Sequence, residues 1–266
     1  MRLQVHHVSE FAYPGSVPYA LHQARLTPKN NAMQTILDWS LTISGGDTQA
    51  QFHDHHHNQV TLISQHAGSS AIRIEAHGEV DTKDGAGVIG KHGGYSPLWL
   101  FLRQTPATKP GKGVRALARK FNGKSGDTLG MLHDLSATIV DVVDYQVNTT
   151  NVDTSAEEAL QGGQGVCQDH AHVFLSAARL LEVPCRYVSG YLMMDDRVLQ
   201  DATHAWVEAH VPELGWVGFD VSNRISPDER YVRVATGLDY SDAAPLKGLR
   251  LGTQPESLVV SVQVQQ

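Results

Sequence analysis

Cys167 stands where a glycine-rich run gives way to a helix-like pattern, in the segment GGQGVCQDHAHVFLSAARLLEVPCRYVSGY at residues 162–191. Glycines at 162, 163 and 165 allow a sharp turn and a close approach to a substrate. If Cys167 lies in the first helical turn, free backbone N–H groups and the helix dipole favour its thiolate. The same N–H groups could receive the oxyanion that forms when a thiolate attacks a carbonyl. A buried, inert cysteine is the alternative, but the glycine run and the helix start favour a reactive thiol.

A thiolate nucleophile needs a base, and the base usually needs an orienting group. The segment ATHAWVEAHV places His204 on a predicted strand, and GWVGFD places Asp220 at the end of the next strand. If the hairpin pairs residue 206 with Asp220, the carboxylate lies on the face of His204, whereas a slip of one residue moves it to the other face. His170, three residues after Cys167 and on the same helical face, is the alternative base. Spacing alone leaves both histidines open.

Cys185, the other of the two cysteines, lies in a predicted strand and has the setting of a small core residue. A helix over residues 167–181 carries the chain roughly 20 Å, at ~1.5 Å per residue. A disulfide requires Cα atoms within about 7 Å of each other. The short segment between the helix and Cys185 cannot easily bring the chain back, so we expect two free thiols.

The segment FHDHHHNQV at residues 52–60 suggests a metal site, because clustered His and Asp side chains bind zinc or nickel. Neighbouring residues of one strand or turn do not enclose a tetrahedral ion without partners elsewhere in the chain, and the sequence has no HExxH or CxxC motif. It also has no P-loop, EF-hand loop or GxSxG elbow. The sequence therefore predicts no metal, no cofactor and neither a nucleotide-binding nor a serine-hydrolase function.

Composition restricts the function further. The 266 residues include 41% hydrophobic and 18% charged residues, which is ordinary for one large or two smaller globular domains. The formal net charge is −7 and the basic residues are scattered, so we expect no nucleic-acid partner. The first residues contain no apolar run like a signal peptide, and no stretch approaches a membrane span. A cytoplasmic protein without a membrane partner is expected.

Secondary-structure signals divide the chain in two. The first ninety or so residues read as β-strands; SAIRIEAHGEVDT, for example, alternates apolar and polar residues. After the glycine-rich residues 84–94, helical spacing appears at 113–121 and 127–145, and TSAEEALQGG has an S-x-x-E capping box. Strands recur from RYVSGYL to the C-terminal SLVVSVQVQ. We predict an α+β fold, with an N-terminal antiparallel β domain at residues 1–95 and a second domain at 96–266, where helices pack on an antiparallel sheet.

Four segments, GQGVCQDHAH, VPCRYVSGYL, THAWVEAHVPELGWVGFDVSNR and VATGLDYSDAAPLKG, closely resemble in this order the core of bacterial transglutaminase-like proteins. These proteins belong to a papain-like superfamily of cysteine-dependent acyl transferases and proteases. The resemblance runs from about residue 140 to the C-terminus, and residues 1–90 are similar, more weakly, to the β domain that precedes this core in the family. It implies a triad of Cys167 as nucleophile, His204 as base and Asp220 as orienting carboxylate.

Three departures from the family pattern concern the surroundings of the triad. His170 stands where the family usually has an aromatic residue, and FDVSN replaces the usual aspartate-proline-threonine-asparagine. Ala202 and Thr203 replace a more usual serine before the histidine. None of these changes removes a member of the triad, so they bear on the substrate pocket and its specificity.

The expected function is cleavage or transfer of an amide acyl group through a thioester, in a peptide or protein substrate. We expect a peptidase or amidase first, because transfer requires an amine to outcompete water and therefore a dedicated acceptor pocket. A transglutaminase is one alternative, and a non-catalytic peptide-binding module on the same fold is another. The complete set of Cys, His and Asp argues against the module. The sequence does not indicate an oligomeric state.

Overall fold

The computed structural model describes residues 1–93, 95–123, 126–251 and 255–266. Gly94, the last residue of the glycine-rich stretch that marks the predicted change of character, lies outside the described residues. The strands in chain order are β1 (Arg2–Ala12), β2 (Tyr19–Thr27), β3 (Gln34–Ser44), β4 (Gly46–His53), β5 (Gln59–Gln65), β6 (Ala71–Thr82), β7 (Val88–Gly90), β8 (Asp144–Tyr145), β9 (Gln164–Gly165), β10 (Cys185–Leu192), β11 (Leu199–Gln200), β12 (His204–Val211), β13 (Gly215–Phe219), β14 (Tyr231–Gly237), β15 (Leu246–Leu251) and β16 (Ser257–Gln265). The helices are α1 (Lys112–Arg119), α2 (Thr128–Val142), α3 (Ala156–Gly162), α4 (Cys167–Leu180) and α5 (Tyr240–Ala243), with a short 3-10 helix at Leu98–Leu102.

The fold is α+β, as predicted, and its centre is helix α4. Every residue of α4 from Asp169 to Arg179 is buried, because the helix lies between the other helices and a five-stranded sheet in the order β14-β10-β12-β13-β7. Phe174 stacks on Phe219 of this sheet with ring centroids 5.4 Å apart. We call this the core sheet; its antiparallel pairing matches the predicted hairpins of the second half of the chain.

Helix α2 is shorter than the helix predicted over residues 127–145. Helix α2 ends at Val142, and Asp144 and Tyr145 instead pair in parallel with Gln164 and Gly165. The backbone leaves the helix because this short ladder ties it to the segment just before Cys167. In the described part of the chain, no helix is both long and apolar enough to cross a membrane.

Two further sheets follow from the alternating N-terminal strands. One has the order β11-β16-β1-β6-β3 and the other β15-β2-β5-β4. On β6, Ile72 and Ile74 are buried while Arg73 is exposed, which is the predicted half-buried pattern. Buried side chains from both sheets, Ile63 and Ile74 among them, pack together in one apolar cluster.

The last two strands of the chain pair with strands of the two N-terminal sheets. Strand β15 pairs with β2, and β16 pairs with β1 in a register that places Val264 opposite Val5. This pairing is stabilised by burial, because Val262 and Val264 join Leu3 and Tyr191 in one apolar cluster. Conversely, β7, which comes from the N-terminal part of the chain, pairs with β13 and adds an edge strand to the core sheet. The boundary at residue 95 stays a prediction.

Candidate active site

A tight turn places Cys167 at the start of α4. Helix α3 ends at Gly163, whose φ of 68° is left-handed backbone that suits glycine. Two residues on, a Cβ on Gly165 would lie 2.7 Å from the Cβ of Asp169, so the turn requires glycine there too. The Asp169 carboxylate accepts a hydrogen bond from the backbone N–H of Val166 at 2.8 Å. Cys167 is therefore the first residue of α4, where its side chain is half-buried and the helix dipole favours negative charge.

The hairpin of β12 and β13 has the register that brings His204 to Asp220. Its ladder pairs Val207 with Phe219, and continuing it places residue 206 opposite Asp220. The two side chains then share a face, and Nε2 of His204 donates to Oδ2 of Asp220 at 2.6 Å. The imidazole is 7% exposed and the carboxylate is fully buried, so their interaction is shielded from water.

Asp220 is held by more donors than the sequence indicated. Its Oδ2 also accepts from the Tyr231 hydroxyl and from Nδ2 of Asn223, each at 2.7 Å. Burial opposes the charged carboxylate, but the charge of His204 and these hydrogen bonds outweigh it and hold the pKa of Asp220 below its ordinary value. Asn223 follows Asp220 by three residues in a turn, a spacing that the sequence shows. Tyr231 comes from the next strand, β14, and no local signal pointed to it.

The imidazole of His204 interacts with both Asp220 and the thiol of Cys167. Burial alone would lower the pKa of His204, but the adjacent Asp220 carboxylate and hydrogen bonds to Asp220 and to the Cys167 side chain raise it to about 10. Because Nε2 faces Asp220, Nδ1 is the ring nitrogen that remains for proton exchange with the thiol. The structure thus brings together the three residues named in the sequence analysis; their catalytic roles stay a prediction.

His170, the alternative base, is engaged elsewhere. Its Nδ1 lies 2.8 Å from the Ser222 hydroxyl, and its Nε2 lies 2.9 Å from the Val143 carbonyl oxygen. Both ring nitrogens are used and the residue is fully buried, so the imidazole joins α4 to the end of α2 and to the turn after Asp220.

Cys185 provides a contrast to Cys167 within the same chain. It is completely buried at the start of β10, and burial raises the pKa of its thiol to about 11. Its Sγ donates weakly to the Leu175 carbonyl oxygen at 3.6 Å. Both cysteines are free, as predicted, and Cys185 is a core residue.

Glu208 anchors β12, the strand that carries His204. It is completely buried and accepts hydrogen bonds from Nε of Arg186 and Nε of Arg233, each at 2.6 Å. Burial opposes its charge, but the two guanidinium groups hold the pKa of Glu208 at about 2. Since Arg186 lies in β10 and Arg233 in β14, this group links three strands of the core sheet.

Two adjoining cavities open on either side of His204. One, of about 390 Å³, is lined by Cys167 together with Tyr187, Ser189 and Tyr240. The other, of about 670 Å³, is lined by Ser222, Asn223 and Tyr231 among others. Residues common to both cavities are Tyr145, Val147, Met194, Arg197 and His204. Because they share these residues, we describe the two cavities together as one cleft, to which His204 contributes in both parts.

Tyr145 is a phenol that lines both cavities of this cleft. Burial and the charges of Cys167 and Asp220 raise the pKa of Tyr145 to about 12, so its hydroxyl keeps its proton at neutral pH. Tyr145 is the second residue of the short strand β8, which pairs with Gln164 and Gly165 just before Cys167. Its hydroxyl is thus available as a hydrogen-bond donor to a substrate.

Among the described residues, Cys167, His204 and Asp220 do not belong to the group of side chains that could share a metal ion. In the part of the chain that the structure describes, the side chains close enough to share one ion are His55, His56 and Asp242.

Comparison with known proteins gives two family matches. Residues 115–221 match the family model described as the transglutaminase-like superfamily. Residues 3–81 match the bacterial transglutaminase-like N-terminal region. The first match covers α2, α3, α4 and part of the core sheet, and the second covers the N-terminal strands.

Similar proteins cover almost the whole chain. An uncharacterized protein of Mycobacterium leprae is 27% identical over 277 residues, which span 99% of this chain and 98% of its own. An uncharacterized protein of Mycobacterium tuberculosis is 28% identical over 290 residues, spanning 99% and 91%. A solved structure from Cytophaga hutchinsonii, of a protein provisionally named a cysteine protease, has a TM-score of 0.79 and 21% identity and covers 100% of this chain and 91% of its own. This likeness shows that the fold is shared.

Proposed function

Because this chain belongs to the transglutaminase-like superfamily, we propose that it is a cysteine-dependent enzyme that cleaves or transfers an amide acyl group. In this proposal Cys167 is the nucleophile, His204 the general base and acid, and Asp220 the orienting carboxylate. The observation that carries it is the position of one buried imidazole: His204 donates to Asp220 at 2.6 Å and lines the same cavity as Cys167. An inert cysteine would not need this arrangement.

The proposed reaction begins with proton transfer from the Cys167 thiol to His204. The thiolate sulfur attacks the amide carbonyl carbon, and the carbonyl oxygen becomes an oxyanion next to the N-terminus of α4. The C–N bond then breaks, His204 gives its proton to the departing amine, and a thioester on Cys167 remains. Water, deprotonated by His204, attacks the thioester and releases a carboxylic acid and the thiol. Asp220 keeps the imidazole oriented and stabilises its charged form throughout.

The cleft supports a peptide or protein substrate. The cavity that contains Cys167 suits the acyl part, since its walls include Tyr187 and Tyr240. The cavity that is lined by His204 but not by Cys167 suits the amine side of the bond, because His204 protonates the leaving group. We favour hydrolysis, and therefore a peptidase or amidase, as the main outcome.

A transglutaminase is the second candidate, and one observation favours it. The larger cavity, of about 670 Å³, adjoins His204 and has room for an acceptor amine after the first product has left. An amine held there would be deprotonated by His204 and would attack the thioester to form a new amide. The two candidates share the first half of the reaction and differ in which nucleophile completes it.

Alkylation of the native protein by iodoacetamide tests the activated thiol, with peptide mass spectrometry reporting Cys167 and Cys185 separately. We expect rapid labelling of Cys167 at pH 6 and none of the buried Cys185. His204→Ala should slow the labelling of Cys167, whereas His170→Phe, which keeps a ring in place, should not. If Cys167 labels slowly and His204→Ala has no effect on it, a non-catalytic peptide-binding module on this fold becomes the better explanation.

The outcome of the thioester step is tested with a peptide library and a primary amine. Mass spectrometry of the products distinguishes a hydrolysed amide from an amide that has gained the amine. Hydrolysis that persists unchanged at millimolar amine supports the peptidase or amidase. Diversion of most of the product into the new amide would assign the transglutaminase instead.

A further inference from the structure

The histidine run of residues 52–60 spans the turn between β4 and β5, and side-chain hydrogen bonds hold this turn in place. The Asp54 carboxylate accepts from the backbone N–H groups of His56 and Asn58, each at 2.9 Å. The Asn58 amide makes paired hydrogen bonds with the backbone of Thr236 in β14, at 2.7 and 2.8 Å. The turn is therefore fixed against the strand that leads directly into α5.

This attachment brings Asp242 of α5 to His55 and His56. One ligand atom from each of the three side chains lies within 4.8 Å of the other two. Nε2 of His56 is 3.2 Å from Oδ2 of Asp242, longer than the ~2.7–2.9 Å typical of a charge-assisted hydrogen bond. It is close to the edge of ~3.3 Å that two ligands span around a tetrahedral ion with bonds of ~2.0 Å.

Among the described residues, the long contact of Nε2 with Asp242 is the one hydrogen bond of the buried His56 imidazole. The His56 side chain is 1% exposed, and among the described residues its Nδ1 has no hydrogen-bond partner. The Asp242 carboxylate is held in place by a hydrogen bond from the Leu238 N–H at 3.1 Å. His55 is exposed, and its ring packs against that of His56 at a tilt of 44° with ring centroids 4.1 Å apart.

We propose that His55, His56 and Asp242 bind a divalent transition-metal ion, Zn²⁺ in the first place, with water as the fourth ligand. Two imidazoles and one carboxylate are ligands that Zn²⁺ prefers. The sequence pattern did not identify a metal ligand outside the histidine run. The structure places such a ligand there, because Asp242, 186 residues after His56, lies next to it. The ion would be a structural clip between the β4–β5 turn and α5. It takes no part in the thioester reaction.

Zinc titration of the Cys167→Ser protein tests the site, because this background removes the thiol of the cleft as a competing ligand. Competition with a chromophoric zinc indicator should show one equivalent of Zn²⁺, and Co²⁺ should give visible d–d absorption. His55→Ala and Asp242→Asn should each weaken Zn²⁺ binding at least tenfold. Neither change should disturb folding, since His55 is exposed and asparagine keeps an acceptor for the Leu238 N–H.

His66→Ala is the matched control, because His66 forms a pair with Asp47 at 2.9 Å on the surface without a second histidine. It should bind Zn²⁺ as the background protein does. One equivalent of Zn²⁺ should also raise Tm in the background protein and not in His55→Ala. Zinc binding of equal strength in His55→Ala, or the absence of stoichiometric binding in the background protein, would overturn the proposal.

Discussion

Asp220→Asn is the substitution that tests the electrostatics of the cleft most directly. It keeps the shape of the side chain and removes a charge that is fully buried. Asparagine can still accept from the Asn223 backbone N–H, but its amide cannot act as a charged acceptor for His204, Tyr231 and the Asn223 side chain together. The structure therefore predicts a large electrostatic effect with a limited effect on packing.

The size of this effect follows from the causes that act on His204. The Asp220 carboxylate is the main reason why the pKa of His204 is about 10, against an ordinary value of 6.5. Without it, burial dominates and lowers the pKa, so the imidazole is mostly neutral at pH 7. Loss of a positioned, charged acid–base group typically costs ~10²–10⁴ in rate. We expect a loss of this size in kcat/KM, and alkylation of Cys167 at pH 6 slowed at least ~10-fold.

The assay is the rate of iodoacetamide labelling of Cys167 from pH 5 to 9, beside kcat/KM on any amide substrate found. Asp228→Asn is the matched control, since Asp228 pairs with Arg230 at 2.6 Å and does not bond to His204 or Asp220. It should leave both rates unchanged. The reasoning is refuted if Asp220→Asn, folded by circular dichroism, labels at pH 6 as fast as the parent.

The same pair has a signature in the pH dependence of stability. The pKa of His204 is raised, so its contribution is complete below 6.5 and is lost as pH rises through about 10. The pKa of Asp220 is lowered, so its contribution is present above 3.8 and is lost as pH falls below that value. Both contributions are present between pH 3.8 and pH 6.5. The difference in unfolding free energy between the parent and Asp220→Asn should therefore be largest in this pH range. Urea titrations at several pH values measure it.

Three other substitutions have defined outcomes. Tyr231→Phe removes one hydrogen bond to a charged group, worth about 1.5–3 kcal/mol, and should lower kcat/KM about tenfold or more while the protein stays folded; unchanged kinetics would show that Asp220 does not need this donor. Tyr145→Phe removes a protonated phenol from the cleft and should lower kcat more than it raises KM, if the hydroxyl stabilises the oxyanion; steady-state kinetics on one substrate separates the two. Glu208→Gln leaves two buried guanidinium groups without a counter-charge and should cost about 3–5 kcal/mol in urea unfolding. In the parent, acid should remove the contribution of Glu208 as pH falls from 4.5 through about 2; a stability that stays constant there would contradict this account.

The parts of the site that depend on local pattern could be predicted from the sequence. The capping box of Ser155 and Glu158 forms as expected, with Glu158 accepting from the Ser155 N–H at 2.9 Å. Gly163 ends that helix, and Cys167 begins the next. For the hairpin of β12 and β13 the sequence left two registers open, and the meeting of His204 and Asp220 belongs to one of them. Nearly every residue of both strands is buried, so the apolar pattern alone did not select the register.

The parts of the site that depend on contacts between residues far apart in the chain could not be predicted from the sequence. Tyr231 reaches Asp220 from a third strand, and Asp242 reaches His56 because β14 carries it there. Residues 257–265 have an ordinary strand pattern that is compatible with any open sheet edge, and only the tertiary fold selects β1 as the neighbour. The choice between His204 and His170 was open for a related reason. Both histidines satisfy the spacing, and only the direction of the His170 ring, toward Ser222 and Val143, separates them.

The division between rigid elements and loops explains how the site can combine fixed chemistry with variable specificity. Cys167 and His204 lie at the ends of α4 and β12, which pack against each other in the main apolar core. Their separation is therefore set by the same burial that stabilises the fold. The cleft walls come largely from the segments after β8 and between β10 and β12. These segments contribute little to the core, so substitutions there can change the shape of the cleft without moving the thiol relative to the imidazole. Under the proposed function, the departures at Ala202 and Thr203, which line the smaller cavity, would therefore affect the choice of substrate. The distance from His204 to Asp220 would instead affect whether any amide is attacked.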